Sequence, residues 1–182
     1  MVRKVFFSFY YDRDVQRAGI VRNSWVTKKD REDAGFWDKA TWEEVQKKTK
    51  EEIGKWIIEQ LNGTSVTVVL IGKETSNREW VRFEITESYK KQNGIFGIYI
   101  HNIKDFEENK DTKGNLNFGE IAKDDDGNSL YFDDLYPVYD WIDDDGYNNL
   151  GDWVDKAANA VSKLSEDTIR ITPSSYTKNW SC

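Results

Sequence analysis

The sequence predicts an α/β fold: a doubly wound, mainly parallel sheet flanked by helices. Three short, β-prone apolar runs lead to it, Val5-Phe6-Phe7-Ser8-Phe9-Tyr10, Val66-Thr67-Val68-Val69-Leu70-Ile71 and Ile95-Phe96-Gly97-Ile98-Tyr99-Ile100. Nearly continuous apolar runs of this length read as strands buried on both faces. Stretches of helical length separate them, and that alternation builds βαβ units. The 182 residues match the usual size of one compact domain and suffice to bury a core.

Taken in order, the first run is a central strand. Asp12 or Asp14 is placed to cap a helix reaching about Trp25, with Val15, Ala18 and Val21 on its apolar side. Residues 34–38 hold a second short strand. Thr41-Trp42-Glu43-Glu44 is spaced as a capping box, which predicts a helix through Leu61 that Asn62-Gly63 stops. The strongest strand signal, Val66 to Ile71, is followed by a second capping-box spacing, Ser76-Asn77-Arg78-Glu79, and a helix from Asn77 to about Asn93. After the third run, residues 105–134 turn polar and rich in Gly, Asn and Asp, an expected surface insertion with a hairpin near Asp126-Gly127. Leu150, Trp153, Val154, Ala157, Ala158, Val161 and Leu164 share one face of a final helix, and a tail follows about Ser165. The expected organisation is one domain over residues 1–182.

Several function classes are disfavoured. A formal charge of −7 repels phosphate backbones and anionic lipid, so neither nucleic acid nor a membrane surface is an expected partner. No apolar run approaches the length of a membrane span, the opening segment lacks a signal-type cleavage site, and Cys182 is the only cysteine, so a cytoplasmic protein is expected. His101 is the only histidine and no GxSxG accompanies it, which leaves little for a Ser-His-Asp arrangement. HExxH, CxxC, GxGxxG and P-loop patterns are absent, and Gly72-Lys73 lacks the earlier glycine a P-loop needs. Asp124, Asp126 and Gly127 occupy three places of a calcium loop, but Ala122 stands at the first ligand position; Trp141 spoils the 143–146 run in the same way. No metal site is expected.

In a doubly wound sheet of flavodoxin-like order 2-1-3-4-5, ligands bind outside the carboxyl ends of the strands where the winding reverses. Here that crevice lies between Ser8-Phe9-Tyr10-Tyr11 and the segment from Gly72 into the helix carrying Trp80 and Glu84. Those two residues are four apart, on one helical face, in a WxxxE motif. By spacing alone, a Glu on such a helix is more often a solvated residue or an ion-pair partner, and a Trp one turn earlier more often packs the core.

The opening strand and residues 75–84 resemble TIR domains that act on NAD+, in which a glutamate stands on the helix after the third strand. Further strings, Val21-Arg22-Asn23-Ser24-Trp25, Gly35-Phe36-Trp37-Asp38, residues 64–72 and residues 138–147, are similar to one branch, the TIR-like sensor proteins (ThsB-type) of bacterial Thoeris anti-phage systems. The sequence departs from that pattern at Tyr10, where a histidine is expected, and across 105–134. The resemblance implies a TIR-like fold and an NAD+-cleaving, ADP-ribosyl cyclase activity with Glu84 as its catalytic residue. It also implies contacts from Ser8, Phe9, Tyr10, Asn23, Asp38, Ser76 and Trp80, NAD+ as substrate with no separate cofactor, an unknown phage trigger, and a separate effector reached through a diffusible cyclic ADP-ribose-type messenger. Chemically, departure of neutral nicotinamide leaves positive charge on the ribose, which a fixed carboxylate stabilises without metal or histidine. Aromatic residues in the crevice are suited to stack on the bases and exclude water. Two other classes stay open: a non-catalytic TIR-like module that self-associates through its many aromatics, and a phosphoacceptor built on Asp12 or Asp38.

Overall fold

The computed structural model describes residues 3–36, 39–164 and 172–173. Strand β1 spans Arg3–Ser8 and helix α1 Tyr11–Val26; β2 is Arg31–Ala34, followed by α2 (Lys39–Val45), α3 (Lys50–Leu61) and β3 (Val66–Ile71). A 3-10 turn, Thr75–Asn77, leads into α4 (Glu79–Lys90) and β4 (Gly94–Tyr99). The remaining elements are β5 (Ala122–Lys123), β6 (Ser129–Leu130), α5 (Phe132–Leu135), β7 (Val138–Asp140), α6 (Gly146–Leu164) and β8 (Thr172–Pro173).

The main sheet has the order β2-β1-β3-β4-β7 with every pairing parallel, so the winding reverses between β1 and β3 as the flavodoxin-like reading requires. Alternation along β1 sorts its side chains to two faces. Val5, Phe7 and Phe9 pack with α1 and α6, whereas Phe6 packs with α2 and α3. Val69 and Ile71 of β3 meet Val81 and Ile85 of α4. The three apolar runs are thus the central strands β1, β3 and β4, and β3 is buried at all six positions.

Local expectations fail where long-range contacts compete with them. The second strand lies three residues earlier than 34–38, because Arg31 to Ala34 pair with Arg3 to Phe6 along an exposed edge that needs few apolar residues. The helix expected from Thr41 to Leu61 is two. Thr49 accepts a bond from the Glu52 amide while the Glu52 carboxylate accepts one from Thr49, a reciprocal cap that starts α3 afresh. Thr41 lies inside α2, two residues past its start. Ser76 does not hold the start of α4: its hydroxyl bonds Asn115 Oδ1 at 2.8 Å, and Arg78 occupies the cap position with no side-chain bond to the helix amides. Asp12 and Asp14 sit in the first turn of α1 behind an N-cap at Tyr10.

The hairpin forms between β5 and β6, with Gly127 at φ 86° in its turn. Asp124 Oδ1 holds that turn by accepting from the amides of Asp126 (3.0 Å) and Asn128 (2.8 Å). Residues 105–134 also send Phe118, Ile121, Ala122 and Phe132 into the interior. In α6, Leu150, Trp153, Val154 and Ala157 are buried as the periodicity predicts, while the Leu164 side chain lies outside the described residues. Within the stretch expected as a tail, β8 pairs antiparallel with β5; the rest of it lies outside the described residues. No helix among the described residues is long and apolar enough to cross a membrane.

Candidate functional site

Where β1 ends and α4 begins, a cleft of about 400 Å³ opens at the reversal point of the sheet. That volume lies within the range of small-molecule sites. Ser8 follows Phe6 by two residues, so its side chain leaves β1 toward the same face and meets α4. Its hydroxyl donates to Glu84 Oε2 at 2.5 Å. Glu84 lines the cleft yet is only 6% exposed. Burial pushes its carboxyl up to about 8, and the Ser8 hydrogen bond, which favours the ionised form, pulls only partly against that.

Aromatic side chains make much of the wall. Phe9, Tyr10, Tyr11, Trp42 and Trp80 all face the cleft. Phe9 stacks on Phe36 with centroids 5.3 Å apart, Tyr11 leans on Trp42 at 5.4 Å, and Trp80 meets the edge of Phe83 at 5.8 Å. The Trp42 indole N–H donates to Asp12 Oδ1 at 3.1 Å, tying α2 to the start of α1. At the amino end of α4, the Arg78 guanidinium lies 4.0 Å from the Tyr10 ring centroid and its Nη2 bonds Glu74 Oε2 at 2.7 Å. Such packing fixes ring orientation at modest entropic cost, because each ring is held by a neighbour.

Of the residues singled out in the sequence, the structure brings together Ser8, Phe9, Tyr10, Trp80 and Glu84. Asn23 stands apart, exposed toward the far end of α1, where its side-chain oxygen accepts a 3.4 Å bond from Arg22. Ser76 is buried against Asn115 and does not line the cleft. Asp38 lies outside the described residues. His101, at the end of β4, is not in the cleft wall; its Nδ1 is buried without a hydrogen bond, 3.8 Å from Asp140 Oδ2. Among the described residues, no group of three or more His, Cys, Asp or Glu is arranged to hold a metal ion.

Tyr11, placed at the crevice edge by the sequence, lines the cleft, whereas Trp42 and Arg78 line it without having been singled out there. Arg78 stands two positions before Trp80, near enough to the WxxxE motif to have been found from the helix start. Trp42 offers no such signal, because only the return of α2 over the sheet carries it to Tyr11.

Two comparisons bear on this arrangement. A family model described as "Thoeris protein ThsB, TIR-like domain" matches residues 6–105, which contain the second half of β1, all of β3 and α4, and every cleft residue named above. A relative from Bacillus cereus (strain MSX-D12), named "Putative cyclic ADP-D-ribose synthase ThsB1", is 37% identical over 191 residues, covering 85% of this chain and 100% of the relative.

Proposed function

The chain belongs to the ThsB family of Thoeris proteins with a TIR-like domain, and from that premise we propose that it cleaves NAD+ at the nicotinamide–ribose bond and closes the remainder into a cyclic ADP-ribose-type messenger. The observation that carries this reading is a buried carboxyl, Glu84, held by the Ser8 hydroxyl at 2.5 Å in an aromatic cleft at the reversal of the sheet. The relative's name supports the product class.

Burial raises the Glu84 pKa to about 8, so the acid holds its proton near neutrality until a ligand's charge meets it. A nicotinamide ring attached to ribose carries a positive charge, and an opposite charge close by favours the ionised carboxylate. Substrate binding therefore draws Glu84 toward the form the chemistry needs. As the C–N bond breaks, its electron pair leaves with neutral nicotinamide and positive charge grows on the ribose beside the carboxylate. A lone pair on the same molecule, from an adenine ring nitrogen or a ribose hydroxyl, then bonds the anomeric carbon, and a proton passes to solvent from the adenine amino group or from that hydroxyl. Phe9, Tyr10, Tyr11 and Trp80 favour closure over hydrolysis by excluding water from that carbon. NAD+ is the substrate, and the reaction uses no separate cofactor.

In the cell, the messenger diffuses through the cytoplasm to a separate Thoeris effector once a phage component has triggered synthesis. The experiment is to incubate the full chain with NAD+, with and without extract from infected cells, and to measure nicotinamide and cyclic products. Wild type releases both, and Glu84→Gln releases at most a small fraction of either. Equal turnover by the two proteins rejects the assignment. Phage protection that survives Glu84→Ala would instead establish a non-catalytic, self-associating role.

A further inference from the structure

The charges around the cleft are lopsided. Among its described lining residues the carboxyl groups are Asp12, Glu79 and Glu84, and the only cation is Arg78. Each carboxyl has a partner, but only one of these is a cation: Glu79 pairs with Lys50 at 3.2 Å, while Asp12 accepts from Trp42 and Glu84 from Ser8. A dinucleotide nevertheless brings a pyrophosphate with two negative charges, which such a wall repels unless a cation receives them.

Arg78 is built to do so. Its guanidinium is held over the Tyr10 ring, Nη2 bonds Glu74 Oε2 at 2.7 Å and Nε reaches the Glu74 carbonyl at 3.4 Å, while Nη1 has no hydrogen bond among the described residues. A planar fork fixed in this way loses little freedom when it captures a phosphate. Releasing Glu74 does not strand that carboxylate, because Arg13 Nη1 stands 3.7 Å from its other oxygen. Arg78 also occupies the cap position of α4, six residues before Glu84. At 1.5 Å per residue that is roughly 9 Å along the helix axis, which leaves room for a ribose between carboxyl and guanidinium. No side chain caps this end of α4, so its first amides add positive potential on the same side.

Resting on the NAD+ reading above, we infer that Arg78 anchors the substrate's pyrophosphate and thereby selects pyridine dinucleotides over the corresponding nucleoside. Glu84 meets the cationic ribosyl end and Arg78 the anionic middle, so the two charged ends of the cleft read the two charges of the ligand in order. Arg78 is a binding and specificity residue in this scheme; it touches no reacting bond.

Calorimetric titration of the full-length wild type, Arg78→Lys and Arg78→Gln with NAD+ and with nicotinamide riboside tests it, with thermal melts to verify folding. The riboside keeps the scissile bond and lacks the pyrophosphate. Arg78→Gln should weaken NAD+ binding by about tenfold to a hundredfold, as expected for loss of a charge-assisted contact, and leave riboside binding within about twofold. Arg78→Lys should fall between, and added salt should weaken NAD+ binding to the wild type more than to Arg78→Gln. Equal loss for both ligands would assign Arg78 to holding Tyr10 in place, and unchanged NAD+ binding would remove it from the site; either overturns the inference and leaves the NAD+ reading intact. Failure of the wild type to bind either ligand overturns the NAD+ reading itself, and this inference with it.

Discussion

Glu84 and Asp14 make an instructive pair. Both are buried carboxyls beside the reversal of the sheet, Glu84 on α4 and Asp14 on α1, which cover opposite faces. Burial raises both, Glu84 to about 8 and Asp14 to about 6, and each has a hydroxyl nearby. Ser8 bonds Glu84 at 2.5 Å, and Thr75 lies 3.5 Å from Asp14 Oδ2. Yet Glu84 borders an open cleft, whereas Asp14 is walled in. A Cβ added to Gly72 would stand 2.2 Å from Asp14 Oδ2, and one on Gly114 would stand 2.0 Å from the Gly72 carbonyl. Above this stack Arg13 grips Asp111, with bonds of 2.9 and 2.8 Å, and Arg17 donates to the carbonyls of Ile103 (2.8 Å) and Asn109 (2.9 Å). A shifted carboxyl marks a reactive group only where a ligand can reach it.

The sharpest way to break the comparison is to neutralise each acid. Glu84→Gln should lower nicotinamide release on the order of 10²- to 10³-fold, the usual cost of removing one charge-stabilising group. Asp14→Asn should change it by less than about fivefold. A comparable loss in both would place Asp14 in the chemistry and undo the distinction drawn from access.

Next in size comes the seal over Asp14. Gly114→Ala drives a methyl into the Gly72 backbone, which cannot swing aside as a side chain can, and should cost about 1–3 kcal/mol or more in urea unfolding. Gly72→Ala meets the Asp14 carboxyl instead. Combined with Asp14→Ala its penalty should shrink by about 1 kcal/mol or more, a coupling that a double-mutant cycle measures. Additive penalties would show that Gly72 and Asp14 are not in contact in solution.

This seal explains where the sequence was legible and where it was not. β3 and the core of β1 were readable because two-sided burial leaves a continuous apolar run. The Trp80 and Glu84 pairing was readable because helical spacing is local. Arg13, Arg17 and Asp111 gave no signal, since they are joined across about ninety residues and look like ordinary surface charge until the chain folds back. Residues 105–134 were opaque for the same reason: Phe118, Ile121 and Phe132 are scattered among polar residues without a helical or strand period. Thr49-Lys50-Glu51-Glu52 was a legible capping box overlooked in favour of Thr41, and the contacts of Ser76 and Asn115 were not local at all.

A smaller perturbation sharpens the Glu84 side. Ser8→Ala removes the one bond that favours the ionised carboxylate, so the Glu84 pKa should rise further. The pH profile of kcat/KM reports the free protein. It should climb toward a plateau above about pH 8 in the wild type and move up by about one unit in Ser8→Ala, in line with a hydrogen bond to a charged group. Ser8→Thr, which keeps the hydroxyl, should restore most of the original profile. A profile unmoved by Ser8→Ala would mean that the hydroxyl does not bond the acid during turnover.

The finest test separates the two carboxyls by their stability windows. Glu84 moves from an ordinary value of 4.5 to about 8 on folding. Below pH 4.5 both states hold the proton; between 4.5 and 8 the folded state alone keeps it. The contribution of Glu84 is therefore full below 4.5 and is lost as pH rises through 8. Asp14, moving from 3.8 to about 6, loses its contribution earlier. The Tm advantage of Glu84→Gln over wild type should widen by several degrees from pH 4.5 to 8, while that of Asp14→Asn should widen from 3.8 to 6 and then stay level. Between pH 6 and 8 only the Glu84 variant should still diverge. Two flat differences would mean that water reaches both acids and that neither face of the seam is as dry as its packing implies.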